Sequence, residues 1–224
     1  MGKILVFWIL LFAHLLADYP LQSNWIVNNK NRAAVLFLHV ATHFLVSLVF
    51  VLLYVPRAWP FLFLLAGIHF IIDAGKNFVN QAKPDWVIFP YIVDQILHVL
   101  SIILIAFLVA RFTNVHPFAI QPTWLIVLIA YLVVTYVWYI SERIIAFHNP
   151  SYFQQVVNKE WSRMLARAIF LTLAIIGLPS LSSYVGVLAL IFPYKMRSFG
   201  IRALITDIFI AGCGAIFVLG FIEY

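Results

Sequence analysis

Eight apolar runs divide the chain, at about 3–19, 33–55, 60–80, 90–110, 122–141, 164–178, 183–194 and 203–222. They are continuous rather than alternating, and longer than the roughly ten residues of a barrel strand, so the pattern predicts membrane-spanning α-helices. The sixth and seventh runs are short. GLPSLSS, 177–183, joins them with the Gly, Pro and Ser of a helix–turn–helix connection. The expected fold is an all-α integral membrane protein with about eight transmembrane segments, or six plus a re-entrant helical pair. Residues 1–110 form an N-terminal four-helix bundle and residues 111–224 a C-terminal set of helices without an assigned role. No small-residue cleavage site follows the first run, which reads as a retained helix and not as a signal peptide.

Polar residues interrupt the first four runs in a repeated way. HLLAD places His14 and Asp18 four residues apart, HVATH places His39 and His43, HFIID places His69 and Asp73, and DQILH places Asp94 and His98. On a helix this spacing leaves two side chains about 40° apart in azimuth and about 6 Å apart along the axis, which suits two ligands of one ion. The pairs fall at the end of run one, the start of run two, the second half of run three and the start of run four. In an up-down bundle those four places share one level. A charge at membrane depth costs about 2.5–3.5 kcal/mol, so three carboxylates there need partners. Apart from Lys76, one turn from Asp73, the pattern puts few cations in that layer.

A divalent metal, one or two ions, answers that need, and imidazole with carboxylate and no sulfur suits Zn²⁺, Mn²⁺ or Fe²⁺. The predicted ligands are His14, Asp18, His39, His43, His69, Asp73, Asp94 and His98, with Asp73 or Asp94 as the catalytic general base. Gln22 and Asn77 continue two of the stripes. With Lys30, Thr42, Lys76 and Gln95 they are the candidates for orienting ligands or touching substrate. Glu142 with Arg143 reads as a helix end. Asp207 reads as a partner of Arg202 or Lys195.

Composition narrows the class further. The chain is 65% hydrophobic and 10% charged, against about 25% charged in soluble domains. The net charge of +6 comes from Lys and Arg between apolar runs and so indicates orientation rather than nucleic-acid binding. With the N-terminus outside, eleven of the fourteen Lys and Arg fall on the cytoplasmic side. Cys213 is the single cysteine, so neither an intrachain disulfide nor a thiolate cluster forms. YFQQVVNKEW, in the loop at 143–163, suits an interfacial segment.

AHLLADYPLQSNWIVNNK, LHVATH, HFIIDAGKN and DQILHV, in that order, resemble a bacterial membrane family designated domain of unknown function 3307, over about residues 8–105. The motif positions are His14, Asp18, Gln22, Lys30, His39, His43, His69, Asp73, Asp94, Gln95 and His98. More loosely, the chain is similar to inner-membrane metal-dependent hydrolases. The resemblance implies a multi-pass protein of the bacterial cytoplasmic membrane. The residues point to a metal-dependent hydrolase near the cytoplasmic face, acting on a lipid-like or membrane-delivered ester or phosphoester. The lipid bilayer and that substrate are the expected partners, and oligomeric state is left open. A divalent metal-ion transporter and a di-iron lipid oxygenase are the alternatives.

The charge asymmetry makes a direct prediction: the loops at 20–32, 81–89 and 143–163 face the cytoplasm. Cysteines placed at Asn28 and Asn158 in a Cys213→Ala background resist a membrane-impermeant thiol reagent in intact cells. Labelling without permeabilisation reverses the orientation.

Overall fold

Prolines and polar caps set where the apolar runs break. Pro56 and Pro60 bracket a short 3₁₀ turn, Pro56–Ala58, and Ser23 and Asn149 cap two short helices through side chains that accept from Ile26 N and Tyr152 N. The computed structural model describes residues 2–112, 123–177 and 200–222, and every regular element among them is helical. The helices are α1 (Gly2–Asp18), α2 (Asn24–Asn29), α3 (Ala33–Tyr54), α4 (Phe61–Ala82), α5 (Ile88–Phe112), α6 (Thr123–Leu132), α7 (Trp138–Ile145), α8 (Pro150–Asn158), α9 (Glu160–Gly177) and α10 (Ile201–Ile222). A π-helical turn, Val133–Val137, joins α6 to α7.

Five helical stretches are long and apolar enough to cross a membrane: Ala33–Tyr54, Phe61–Ala82, Ile88–Phe112, Thr123–Ile145 and Ile201–Phe221. The apolar part of α1, Ile4–Asp18, is shorter, and α9 carries Glu160, Arg163 and Arg167. The seventh predicted segment, 183–194, the GLPSLSS turn, His116, Lys195 and Arg197 lie outside the described residues. The protein is a multi-pass helical membrane protein in which five described helices, against the eight crossings expected, meet the length and polarity of a span.

Two compact units divide between Leu125 and Ile126, inside α6. In the first, α1 packs on α3 and α5, and α4 packs on α3 and α5, which closes a ring of four helices. From Ile4 onward α1 is apolar apart from His14 and Asp18 and is the most deeply buried helix of the ring, with Val6, Ile9, Leu10, Ala13 and Ala17 essentially inaccessible. α3, α4 and α5 instead each show an exposed apolar face, including Phe37, Leu53, Phe63, Ile71 and Leu100, that suits contact with hydrocarbon. The short α2 was not legible as a helix. It runs between α1 and α3 with Ile26 turned inward.

The second unit is organised around buried charge. Arg163 and Arg167, one turn apart on α9, converge on Asp207 of α10. Arg163 donates from Nε and Nη2 to the two Asp207 oxygens at 2.9 and 2.7 Å and from Nη1 to Glu142 at 2.8 Å. Arg167 donates to Asp207 at 3.0 Å and to the backbone carbonyls of Val134 and Thr135. Those carbonyls belong to the π turn, whose widened hydrogen-bond pattern frees backbone acceptors for an outside donor. Tyr152 of α8 completes Glu142 with a 2.7 Å hydrogen bond, and burial beside that carboxylate pushes the Tyr152 phenol up to about 12.

The expectations for this half need correction. Asp207 pairs with Arg163 and Arg167, while Arg202 is exposed, because the facing stripe of α9 brings two guanidiniums to one carboxylate. Glu142 and Arg143 lie in the last turn of α7, as expected, but Glu142 turns inward, and Arg143 lies over the rings of Tyr139 and Phe153. Arg163 and Arg167 are therefore not loop cations, and the charge asymmetry rests on the other nine. The aromatic stretch after 149 forms α8, which packs on α7 with Val156 buried.

Gly214 lets α10 approach the π turn closely. A Cβ there would meet Val134 Cγ2 at 2.8 Å and Leu171 Cδ1 at 3.3 Å, whereas one at Gly212 would meet nothing within 4 Å. Val134 and Leu171 are both buried and have little room to yield. Gly214→Ala is expected to destabilise the protein by about 1–3 kcal/mol, and Gly212→Ala to be neutral or stabilising by up to about 1 kcal/mol. Melting in detergent compares them, and equal midpoints would contradict the close approach.

Candidate functional site

The four polar pairs meet. Each comes from one helix of the ring: His14 and Asp18 from α1, His39 and His43 from α3, His69 and Asp73 from α4, Asp94 and His98 from α5. All but Asp18 are below one-tenth exposed, and Asp18 is only partly buried. Asp18 Oδ1 lies 3.2 Å from both His39 Nε2 and His43 Nε2. His39 Nε2 lies 3.3 Å from His69 Nε2 and 3.3 Å from Asp73 Oδ2. The His69 ring stacks between those of His43, at 4.0 Å, and His98, at 4.2 Å. His14 stands 5.0 Å from His98 and 5.1 Å from His43, centroid to centroid.

Two sets of donor atoms have the closeness that one ion needs. Asp18, His39, His43 and His69 form one set and His69, Asp73 and His98 the other, with one donor atom from each residue and all within 4.8 Å of one another. Donors placed tetrahedrally about 2.0–2.1 Å from a zinc ion are about 3.3 Å apart. The measured edges within the first set, 3.2, 3.2 and 3.3 Å, have that length. His14 and Asp94 stand beside these sets rather than in them.

Flanking side chains hold the cluster in place. With its amide oriented to face donors, the Gln22 oxygen accepts from His39 Nδ1 at 3.1 Å and from Lys30 Nζ at 2.6 Å, while its nitrogen donates to the Asp18 carbonyl. Lys30, at the C-terminal cap of α2, places Nζ 2.9 Å from His39 Nε2 and 3.3 Å from Asp73 Oδ2. Asn77 Nδ2 donates to the Lys30 carbonyl at 2.8 Å and so fixes the end of α2 to α4. Lys76 Nζ and Gln95 Nε2 both donate to Asp94 Oδ2, at 2.7 and 3.0 Å. Tyr19 in turn donates to Gln95 Oε1 at 3.2 Å, and burial raises its phenol well above the ordinary range. Thr42 alone of the flanking candidates turns away, its hydroxyl donating to the Leu38 carbonyl of its own helix.

Sequence reasoning missed three things. Lys30 was a named candidate, but its place against the carboxylates was not foreseen, and the charge balance changes with it: counting the five imidazoles as neutral, three carboxylates face two ammonium groups and one negative charge remains. Tyr19 and Tyr91, 3.0 Å apart, extend the network beyond Gln95 and carried no spacing signal. Ser47 and Ser101 did carry one, since they lie four residues past His43 and three past His98 on the same stripes, in the direction away from the loops. Both line a cavity of about 20 Å³ together with His14, His43, His69 and His98, with apolar side chains of α3, α4 and α5 completing its lining. That volume holds about one water.

The histidines bordering the cavity have capacity to spare. Neither ring nitrogen of His98 has a hydrogen-bond partner among the described residues, nor does His14 Nε2; their nearest carboxylates are 3.7 and 3.5 Å away. Buried imidazole nitrogens without partners are unusual, and a metal ion is one of the few things that satisfies them.

Fold and site together define a multi-pass helical membrane protein with a buried His, Asp and Lys cluster in its first unit. Residues 6–127 match the family described as protein of unknown function (DUF3307), and the chain belongs to that family. The match runs from α1 into the start of α6 and contains every residue of the cluster. No curated protein and no solved structure matches the chain, so the looser likeness to inner-membrane metal-dependent hydrolases gains no support.

The Lys76–Asp94 pair allows a clean test of the cluster's electrostatics. Lys76→Met leaves a buried carboxylate with Gln95 as its one close donor and is expected to cost about 3–5 kcal/mol. Adding Asp94→Asn to the same chain removes the uncompensated charge and restores most of the loss. Melting midpoints of the two single variants and the double variant read the coupling. Simple additivity would contradict it.

Proposed function

We propose that the protein is a membrane-embedded metal-dependent hydrolase whose ion is held by Asp18, His39, His43 and His69. The observation that carries this reading is that set of four donors, drawn from three helices, all within 4.8 Å of one another and with three of the six edges at 3.2 to 3.3 Å. Three imidazoles and one carboxylate suit Zn²⁺, Mn²⁺ or Fe²⁺. Such an ion supplies a Lewis acid and lowers the pKa of water toward about 7. Charge favours a single ion, because one divalent cation against the cluster's net negative charge leaves +1, and two would leave +3 in a low-dielectric layer. The same count weighs against a di-iron oxygenase.

The chain's own residues divide the remaining work. Asp73, 3.3 Å from His39 and 3.5 Å from His69, stands beside the donor set and is better placed as general base than Asp94, which is farther from it; each of the two is paired with a lysine, Lys30 and Lys76. The water-sized cavity against His43 and His69 offers a place for a nucleophile, and its apolar lining suits the chain of a lipid-like ester or phosphoester. That lining also supports catalysis over ion transport, which needs ligands along a route to the far side. Lys30, Arg32, Lys76 and Lys83 near the α2 end favour the bacterial cytoplasmic membrane with the site toward the cytoplasm.

A second reading has its own observation. Lys30 and Lys76 already pair with two of the three carboxylates, which suits a metal-free polar core that joins the helices. Metal analysis decides between the two. The hydrolase reading expects about one transition-metal ion per gently purified chain, lower content and a lower melting midpoint in His69→Ala and Asp18→Asn, and the same loss with chelator. It also expects hydrolysis of chromogenic esters or phosphodiesters that disappears in His69→Ala, whereas His148→Ala in the exposed loop changes nothing. A metal-free wild type that is indifferent to chelator favours the polar core and overturns the hydrolase.

A further inference from the structure

Lys30 contacts one of the donor atoms that the proposed ion requires, His39 Nε2. With Gln22 accepting from His39 Nδ1, that nitrogen carries a ring proton, and in the neutral ring that an ion requires, Nε2 carries the lone pair. Four neighbours crowd this nitrogen: Asp18 Oδ1 at 3.2 Å, Asp73 Oδ2 at 3.3 Å, His69 Nε2 at 3.3 Å and Lys30 Nζ at 2.9 Å. Two are carboxylate oxygens, so the group that reconciles them is the ammonium. An imidazole nitrogen has one lone pair, and it cannot accept from Lys30 while it binds an ion. An ion at coordination distance from His39 Nε2 would also face the ammonium at close range in a weakly screening layer.

On the metal-centre reading, we propose that Lys30 is a tethered competitor for the ion: loading the site exchanges its ammonium group for the divalent cation, and Lys30 thereby sets the metal affinity. The exchange needs no backbone movement. Asn77 holds the Lys30 carbonyl, not its side chain, and the four methylene bonds beyond Cα allow Nζ to swing out past the end of α2. The Lys30 side chain is 14% exposed and the Asp73 side chain it leaves is 4% exposed, so the ammonium lies on the more accessible side of the pair and gives up its 2.6 Å bond to the Gln22 oxygen when it leaves.

Full-length protein in detergent, stripped with chelator and dialysed, provides the test, with Zn²⁺ affinity read by competition against a chromogenic chelator. Lys30→Met is expected to bind Zn²⁺ about tenfold tighter than wild type or more, and to melt lower than wild type without Zn²⁺ but not with it. Lys30→Arg keeps the charge and is expected to bind no tighter than wild type. If Lys30→Met does not remain monodisperse, Lys30→Gln removes the same charge and carries the same expectation. Equal or weaker Zn²⁺ binding by the neutral variants, beside a wild type that binds, overturns the competition and leaves the metal centre standing. Binding by neither overturns both. Binding by the neutral variants alone supports the competition in its strongest form.

Discussion

Three carboxylates buried among four apolar helices are the constraint to which the rest of the first unit answers. A carboxylate in that layer is costly alone and tolerable with partners. Asp18 is met by His39 and His43 from α3, Asp73 by Lys30 and His39, and Asp94 by Lys76 and Gln95. Each solution takes at least one partner from another element, so the charges specify which helices must be neighbours and in what register. The i,i+4 stripes on α1, α3, α4 and α5 are the helical form of that requirement. The short α2 also serves it, because without that turn Lys30 would not reach back to Asp73.

The second unit solves a similar problem differently, and the contrast separates a site from a scaffold. There two guanidiniums meet two carboxylates, every N–H donor of Arg163 and Arg167 named above has an acceptor, and the π turn supplies carbonyls for the rest. That cluster is neutral. Glu142 Oε2 there lacks a hydrogen bond among the described residues but lies 2.8 Å from Arg163 Nη1, so it faces a guanidinium. The first is left with a negative charge, partnerless nitrogens on His98 and His14, and a cavity for one water. Buried polar groups left unfinished by the protein are where ligands bind.

Much of the first unit was legible in the order of its residues. Pairs at i,i+4 define a helical face whatever the helix packs against, and four such faces at one depth leave few arrangements other than convergence. His14, His39, His69 and their partners could therefore be named without coordinates. Ser47 and Ser101 obey the same rule and could have been named too, had the stripes been followed toward the bilayer as well as toward the loops. The second half resisted, because Arg163 and Arg167 look like loop cations in a charge count. Only the position of Asp207 on a facing helix shows that they are internal.

The sequence by itself determined the helical membrane class and the levels of the polar pairs, because hydropathy and helical period act within one segment. Tertiary structure alone decided the partners: Lys30 with His39 and Asp73, Lys76 with Asp94, Arg167 with the π turn, and Asp94 beside the donor sets rather than in them. Those outcomes depend on distances of about 3 Å between side chains from different helices. The periodicity of a single helix carries no information about such distances; packing and rotamer choice set them.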